Sequence, residues 1–105
     1  MTDFTFDGPV DAARCLVLAH GAGAPSDSPF MAHFAEGVAS AGIRVARFEF
    51  PYMVRRREDG KRRPPDRAPV LIDSWQKAVE EITQTGVVRD RLFIGGKSLG
   101  GRVAS

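Results

Sequence analysis

Near the carboxyl end of this 105-residue chain, Gly96-Lys97-Ser98-Leu99-Gly100 follows a short apolar run, Leu92-Phe93-Ile94. A serine with glycine two residues away on each side has the spacing G-x-S-x-G. A serine hydroxyl attacks a carbonyl carbon well only when it stands clear of its own backbone. A sharp strand-to-helix turn holds it so, in a strained conformation, and side chains at the two flanking positions would collide with neighbouring strands. Glycine at 96 and 100 removes those side chains. The N–H of Leu99, at the start of the helix that follows, faces the same point and is suited to stabilise an oxyanion. Residues 94–101 therefore read as a nucleophile elbow with Ser98 as nucleophile.

A second glycine-rich turn, His20-Gly21-Ala22-Gly23-Ala24-Pro25, ends the apolar run Leu16-Val17-Leu18-Ala19. Acyl transfer needs a second N–H donor from such a loop, where small residues let the backbone approach a substrate carbonyl. Gly21 or Ala22, in a loop spanning 20–25, would supply it. His20 precedes Ser98, whereas the histidine that activates a serine on this kind of elbow follows it in the chain. His20 thus reads as a residue that orients the loop, and His33 as a surface or boundary residue.

Two nucleotide-binding patterns fail on spacing. Gly96-Lys97-Ser98 resembles the end of a phosphate-binding loop, but Arg91 stands where the first glycine belongs and Leu92-Phe93-Ile94 looks like strand. A dinucleotide fingerprint starting at Gly21 has Ser26 in place of its third glycine.

The elements that must position these turns alternate. The run Leu16–Ala19 reads as a strand buried on both faces. Ser28 and Pro29 read as the N-cap and first residue of a helix burying Phe30, Phe34, Val38 and Ala41 and ended by Gly42. Ile43 to Phe50 reads as a second strand, with Val45 and Arg47 in apolar–polar alternation. A polar segment, 51–69, reads as a basic loop. A helix from Val70 to Thr85 presents Leu71, Trp75, Ala78, Val79 and Ile82 inward and stops at Gly86. Arg91–Ile94 makes a third core strand, and Phe4-Thr5-Phe6 a short edge strand. This order predicts an α/β fold: a three-layer, mostly parallel sheet with flanking helices. Ligands bind such sheets beyond the carboxyl ends of the strands, which are the places where the two glycine turns and the basic loop begin.

His20-Gly21-Ala22-Gly23-Ala24, then Phe50-Pro51-Tyr52-Met53 with its basic continuation, then Gly95-Gly96-Lys97-Ser98-Leu99-Gly100-Gly101-Arg102 resemble the α/β-hydrolase superfamily. Within it they are similar to a small group related to dienelactone hydrolase. The resemblance runs from Cys15 to Ser105. It implies Ser98 as the nucleophile of an esterase-like reaction, an oxyanion hole of Leu99 with the 20–25 loop, a small ester-like substrate, and no metal or organic cofactor. It also implies a triad order of serine, then acid, then histidine. Residues 99–105 contain no Asp, Glu or His, so residues 1–105 are expected to be the N-terminal part of one hydrolase domain, inactive alone. The missing half, or self-association, is expected to cover the open sheet edge. A catalytically silent interaction domain on the same scaffold is the alternative from another class, and behind it a nucleotide-binding protein using Gly96-Lys97-Ser98.

Composition sets the remaining bounds. Hydrophobic residues make up 43% and charged residues 27%, as in ordinary globular domains. No stretch approaches the ~20 apolar residues of a membrane span, and acids occupy the N-terminus where a signal peptide has cations. One cysteine, Cys15, reads as a buried packing residue suited to a reducing, cytoplasmic setting. Arg55, Arg56, Arg57, Arg62 and Arg63 form a basic run. It would suit anion recognition, or simply a solvated loop offset by Glu58, Asp59 and Asp66. With a net charge of +2 and little aromatic interleaving, the chain lacks the signature of nucleic-acid binding.

Overall fold

The computed structural model describes residues 3–21, 25–61, 64, 66–86 and 91–96. Along the chain these form β1 (Thr5–Asp7), β2 (Cys15–Ala19), α1 (Pro29–Ser40), β3 (Arg44–Phe48), α2 (Pro51–Asp59), α3 (Ala68–Gln84) and β4 (Leu92–Gly96). The sheet order is β1-β3-β2-β4. β2 pairs in parallel with β3 on one side and β4 on the other, while β1 is antiparallel to β3 at the edge. The fold is therefore the mostly parallel α/β sheet expected.

Helices cover both faces, which is why β2 is apolar throughout. Its alternate residues Cys15, Val17 and Ala19 join Phe48, Phe50, Tyr52 and Met53 under α3, whose Leu71, Trp75, Ala78 and Ile82 complete that core. The intervening Leu16 and Leu18 face α1. The Phe48 and Trp75 rings meet edge-on with centroids 4.9 Å apart. Because the chain leaves β2 for one face and β3 for the other, the carboxyl ends of these strands border a crevice.

α1 starts as its sequence suggests, with Pro29 in the first turn and the Ser28 hydroxyl accepting the Met31 N–H at 3.4 Å. Its rotation differs from the expectation. Met31 and Ala35 are buried, while Phe30 and Phe34 are 52% and 45% exposed and stack on each other at 6.3 Å. Val38 is half-buried against the core as expected, but Ala41 is the exposed C-cap. Two apolar stripes run side by side on this helix, and the smaller one lets its backbone come close over Leu18 and Val45.

The segment expected to be a loop from 51 to 69 instead begins with α2. Pro51 supplies a preset φ at its first position, and Gly60 closes it with φ +71° in the left-handed region. Burial of Tyr52 and Met53 anchors it. β3 also departs from apolar–polar alternation, since Val45 through Phe48 are all buried. Arg47 is buried because Asp7 of β1 takes two of its N–H groups, at 2.9 and 3.2 Å, and the Ser26 carbonyl takes a third at 2.9 Å. Just after β1, Gly8 has φ +85°, and a Cβ there would lie 2.5 Å from the Ile43 carbonyl oxygen. The turn bringing Asp7 to Arg47 thus depends on glycine. At the other edge, Phe93 and Ile94 of β4 are about half exposed.

The rotation of α1 has a measurable consequence. Met31→Ala should lower unfolding free energy by about 2–5 kcal/mol, and Phe34→Ser by less than about 1 kcal/mol. Urea unfolding midpoints compare them directly, and a larger loss at Phe34 would contradict the observed face.

Candidate active site

The two glycine-rich segments follow neighbouring strands in the chain. Ala19, the last residue of β2, is paired in register with Gly96, the last of β4, and with Phe48 of β3. His20, Glu49 and the carboxyl end of β4 therefore lie at one edge of the sheet. Gly96 and Gly21 lie within the described residues. Ser98, Leu99, Gly100 and Ala22 lie outside them, as do Lys97, Arg62 and Arg63. β4 runs through Gly96, so residues 92–96 are strand where a phosphate-binding loop would need open backbone.

His20 is fully buried, and both ring nitrogens are engaged. The Phe50 N–H donates to Nε2 at 3.1 Å, and Nδ1 lies 2.6 Å from the Gly21 carbonyl oxygen. An imidazole that accepts at Nε2 must carry its proton on Nδ1, and so donates to Gly21. The Phe50 and Tyr52 rings meet it edge-on at 5.2 and 5.6 Å. Burial pushes the His20 pKa down, only partly opposed by the Gly21 hydrogen bond and the nearby Glu49. This is a neutral, oriented ring with no nitrogen left for proton abstraction. His33 is exposed on α1.

Beside it, Glu49 follows β3 directly. Its Oε2 accepts the Ser26 N–H at 2.9 Å and the Ser26 hydroxyl at 3.2 Å. Arg57 grips the same carboxylate with Nε to Oε1 at 2.6 Å and Nη2 to Oε2 at 2.7 Å, and reaches Asp27 at 2.7 Å. Burial alone would raise the Glu49 pKa, but hydrogen bonds from Arg57 and Ser26 outweigh it and lower the value. The Arg57 hydrogen bond likewise lowers Asp27.

The basic run is thus partly committed to internal partners. Arg55, Arg56 and Arg57 lie on α2 rather than on a loop. Arg55 pairs with Asp66 at 2.9 Å, and Asp66 also accepts the Tyr52 N–H at 2.8 Å. Of the acids expected to offset the run, Asp66 pairs with Arg55, while Arg57 pairs with Glu49 and Asp27, which lie outside that expectation. Glu49, Ser26 and Asp27 were not singled out from sequence. The usable signal was an acid directly after a parallel strand, on the sheet edge where ligands bind. Cys15 is buried at the opposite end of β2 from His20, and desolvation raises its thiol pKa, so it is an inert packing residue. Among the described residues no group of His, Cys, Asp and Glu could hold a metal ion, and no helix is long and apolar enough to cross a membrane.

A parallel sheet with helices on both faces, carrying a glycine turn beside the end of a G-x-S-x-G strand, is the framework of a hydrolase-type α/β domain. Residues 12–105 match the family described as an alpha/beta hydrolase domain, and the chain belongs to that family. No curated protein matches the chain.

The state of His20 predicts a pH dependence. Its folded pKa lies below the ordinary value of ~6.5, so the unfolded chain binds more protons just under that pH. Stability should be complete above about pH 6.5 and fall as pH drops from there toward the lower folded pKa. His20→Asn should flatten urea-derived stability between about pH 6.5 and 5, above the range where carboxylates titrate. An unchanged slope would show that His20 is not held neutral.

Proposed function

We propose that this protein is a serine hydrolase of carboxylic esters or related acyl bonds, with Ser98 as nucleophile. The observation that carries the proposal is the in-register pairing of Ala19 with Gly96, in a chain of the alpha/beta hydrolase domain family. That pairing sets side by side the ends of β2 and β4, from which residues 20–25 and 97–101 continue along the chain. In the proposed reaction the Ser98 oxygen attacks the acyl carbon, and the carbonyl electron pair moves onto its oxygen. The N–H of Leu99 and that of Gly21 or Ala22 stabilise this oxyanion, a contribution of about 10²–10³-fold per donor. Collapse expels the alcohol and leaves an acyl-Ser98, which water hydrolyses. The chemistry needs neither metal nor organic cofactor. The likeness to the group related to dienelactone hydrolase points to a small acyl substrate.

The serine needs a base to accept its proton. His20 has both nitrogens engaged, His33 is exposed on α1, and residues 99–105 carry no His, Asp or Glu. We propose that the 105-residue chain by itself is a poor catalyst and that the half-exposed β4 edge, with Phe93 and Ile94, is covered by association.

Two measurements test this reading. The 105-residue chain should hydrolyse p-nitrophenyl acetate little above background, and Ser98→Ala should change that rate negligibly. In a polypeptide that also carries an acid and a histidine after the elbow, Ser98→Ala should cost on the order of 10³–10⁶-fold in kcat. No loss there would remove Ser98 as nucleophile. Light scattering after size exclusion should give a mass above the 11.4 kDa of one chain. A monodisperse monomer with a sharp melt would refute the association.

A further inference from the structure

The turn between β2 and α1 is tied down on both sides, and both ties run to residues 47–57. On the near side, the His20 ring joins Gly21 to the Phe50 N–H. On the far side, Ser26 is held by its N–H and hydroxyl to Glu49 and by its carbonyl to Arg47. Glu49 is held in turn by the paired N–H groups of Arg57, which also takes Asp27. The segment 22–24 between the two ties lies outside the described residues.

The Glu49 carboxylate accepts two bonds from Ser26 and two from Arg57. A carboxylate gripped by a guanidinium fork cannot change rotamer without losing both parallel bonds together. The orientation of Oε2, and with it the place of the Ser26 backbone, therefore follows Arg57. Arg57 sits two turns along α2 from Phe50, whose N–H hangs on His20. The ties form a closed circuit: β2 end, His20, α2, Arg57, Glu49, Ser26. Simple charge neutralisation would explain Arg57 with Asp27, both substantially exposed at 42% and 60%, where a pair is worth little. It does not explain why the shared carboxylate, 11% exposed, is turned onto a backbone N–H of the loop.

We propose that Arg57 and Glu49 are positioning residues for the oxyanion loop, fixing its far side without touching substrate. The catalytic part of this inference rests on the serine-hydrolase reading; the positioning of the loop does not. An oxyanion donor is effective only when held to within roughly 0.5 Å of its working place, so loss of the circuit should act on the transition state more than on substrate binding.

Amide hydrogen exchange of the whole 105-residue chain, followed by mass spectrometry, tests the loop. Arg57→Gln should speed exchange in residues 26–28 about tenfold or more, with α3 protection unchanged. Arg57→Lys, which keeps the charge and loses the fork, should restore part of that protection. Arg57→Gln combined with Glu49→Gln should be no worse than Arg57→Gln alone, because both break one unit. An unaltered loop, equal loosening of α3, or effects that multiply in the double variant would overturn the proposal. In a polypeptide showing Ser98-dependent turnover, Arg57→Gln should lower kcat about tenfold or more with KM little changed, and Arg57→Lys should recover part of it. A loosened loop with kcat unchanged would also overturn it. Turnover indifferent to Ser98→Ala would instead refute the hydrolase reading, and the exchange result would still decide whether the loop is held this way.

Discussion

The imidazole of His20 sits where β2 and β3 run out, the place in a parallel sheet where backbone hydrogen bonding stops. Burial there leaves backbone groups that must find partners other than the ladder. The ring meets two of these needs at once, accepting the Phe50 N–H and donating to the Gly21 carbonyl. It can do both only while neutral, and its complete burial among Phe50 and Tyr52 keeps it so. The start of α2 and the first residue of the glycine turn are thereby set relative to each other by one side chain. Because Ala19 is also in register with Gly96, β4 shares the same reference point.

Arginine does the corresponding work around this joint. Arg47, buried on β3, ties the edge strand β1 and the Ser26 carbonyl into one piece. Removing one partner of such a buried pair typically costs about 3–5 kcal/mol, because a charge is left without compensation. Arg57 acts from the outer side through Glu49 and Asp27. A flexible ammonium would neutralise the same charges but could not hold a carboxylate plane. Arg55 and Arg57, two members of what looks like a basic, ligand-seeking run, are therefore held by internal carboxylates. These hydrogen bonds join the ends of β2 and β3 to α2 at the carboxyl edge of the sheet.

The sequence by itself determined the features that depend on local backbone chemistry. The Ser28-Pro29 helix start, the inward stripe of α3 and the doubly buried strand at Cys15–Ala19 all follow from residues within a few positions of one another. So did the α/β class, since strands alternating with helices leave few other arrangements. The reading of His20 as an orienting residue rested on chain order alone, and the structure supplied its two hydrogen bonds.

Other features were decided only by the tertiary structure. Two apolar stripes on α1 are equivalent along the helix until a sheet selects the one with Ala35, which allows the closer approach. α2 has its own start and stop in Pro51 and Gly60, but its charged residues masked a helix stabilised by burying just Tyr52 and Met53. Arg47 reads as solvent-facing until Asp7, forty residues earlier, folds over it. Glu49 looks like any strand-end acid until Ser26 and Arg57 converge on it from 23 positions before and 8 after. A hydrogen-bond partner that distant leaves no trace in periodicity or spacing, because only the folded backbone brings the two groups within 3 Å.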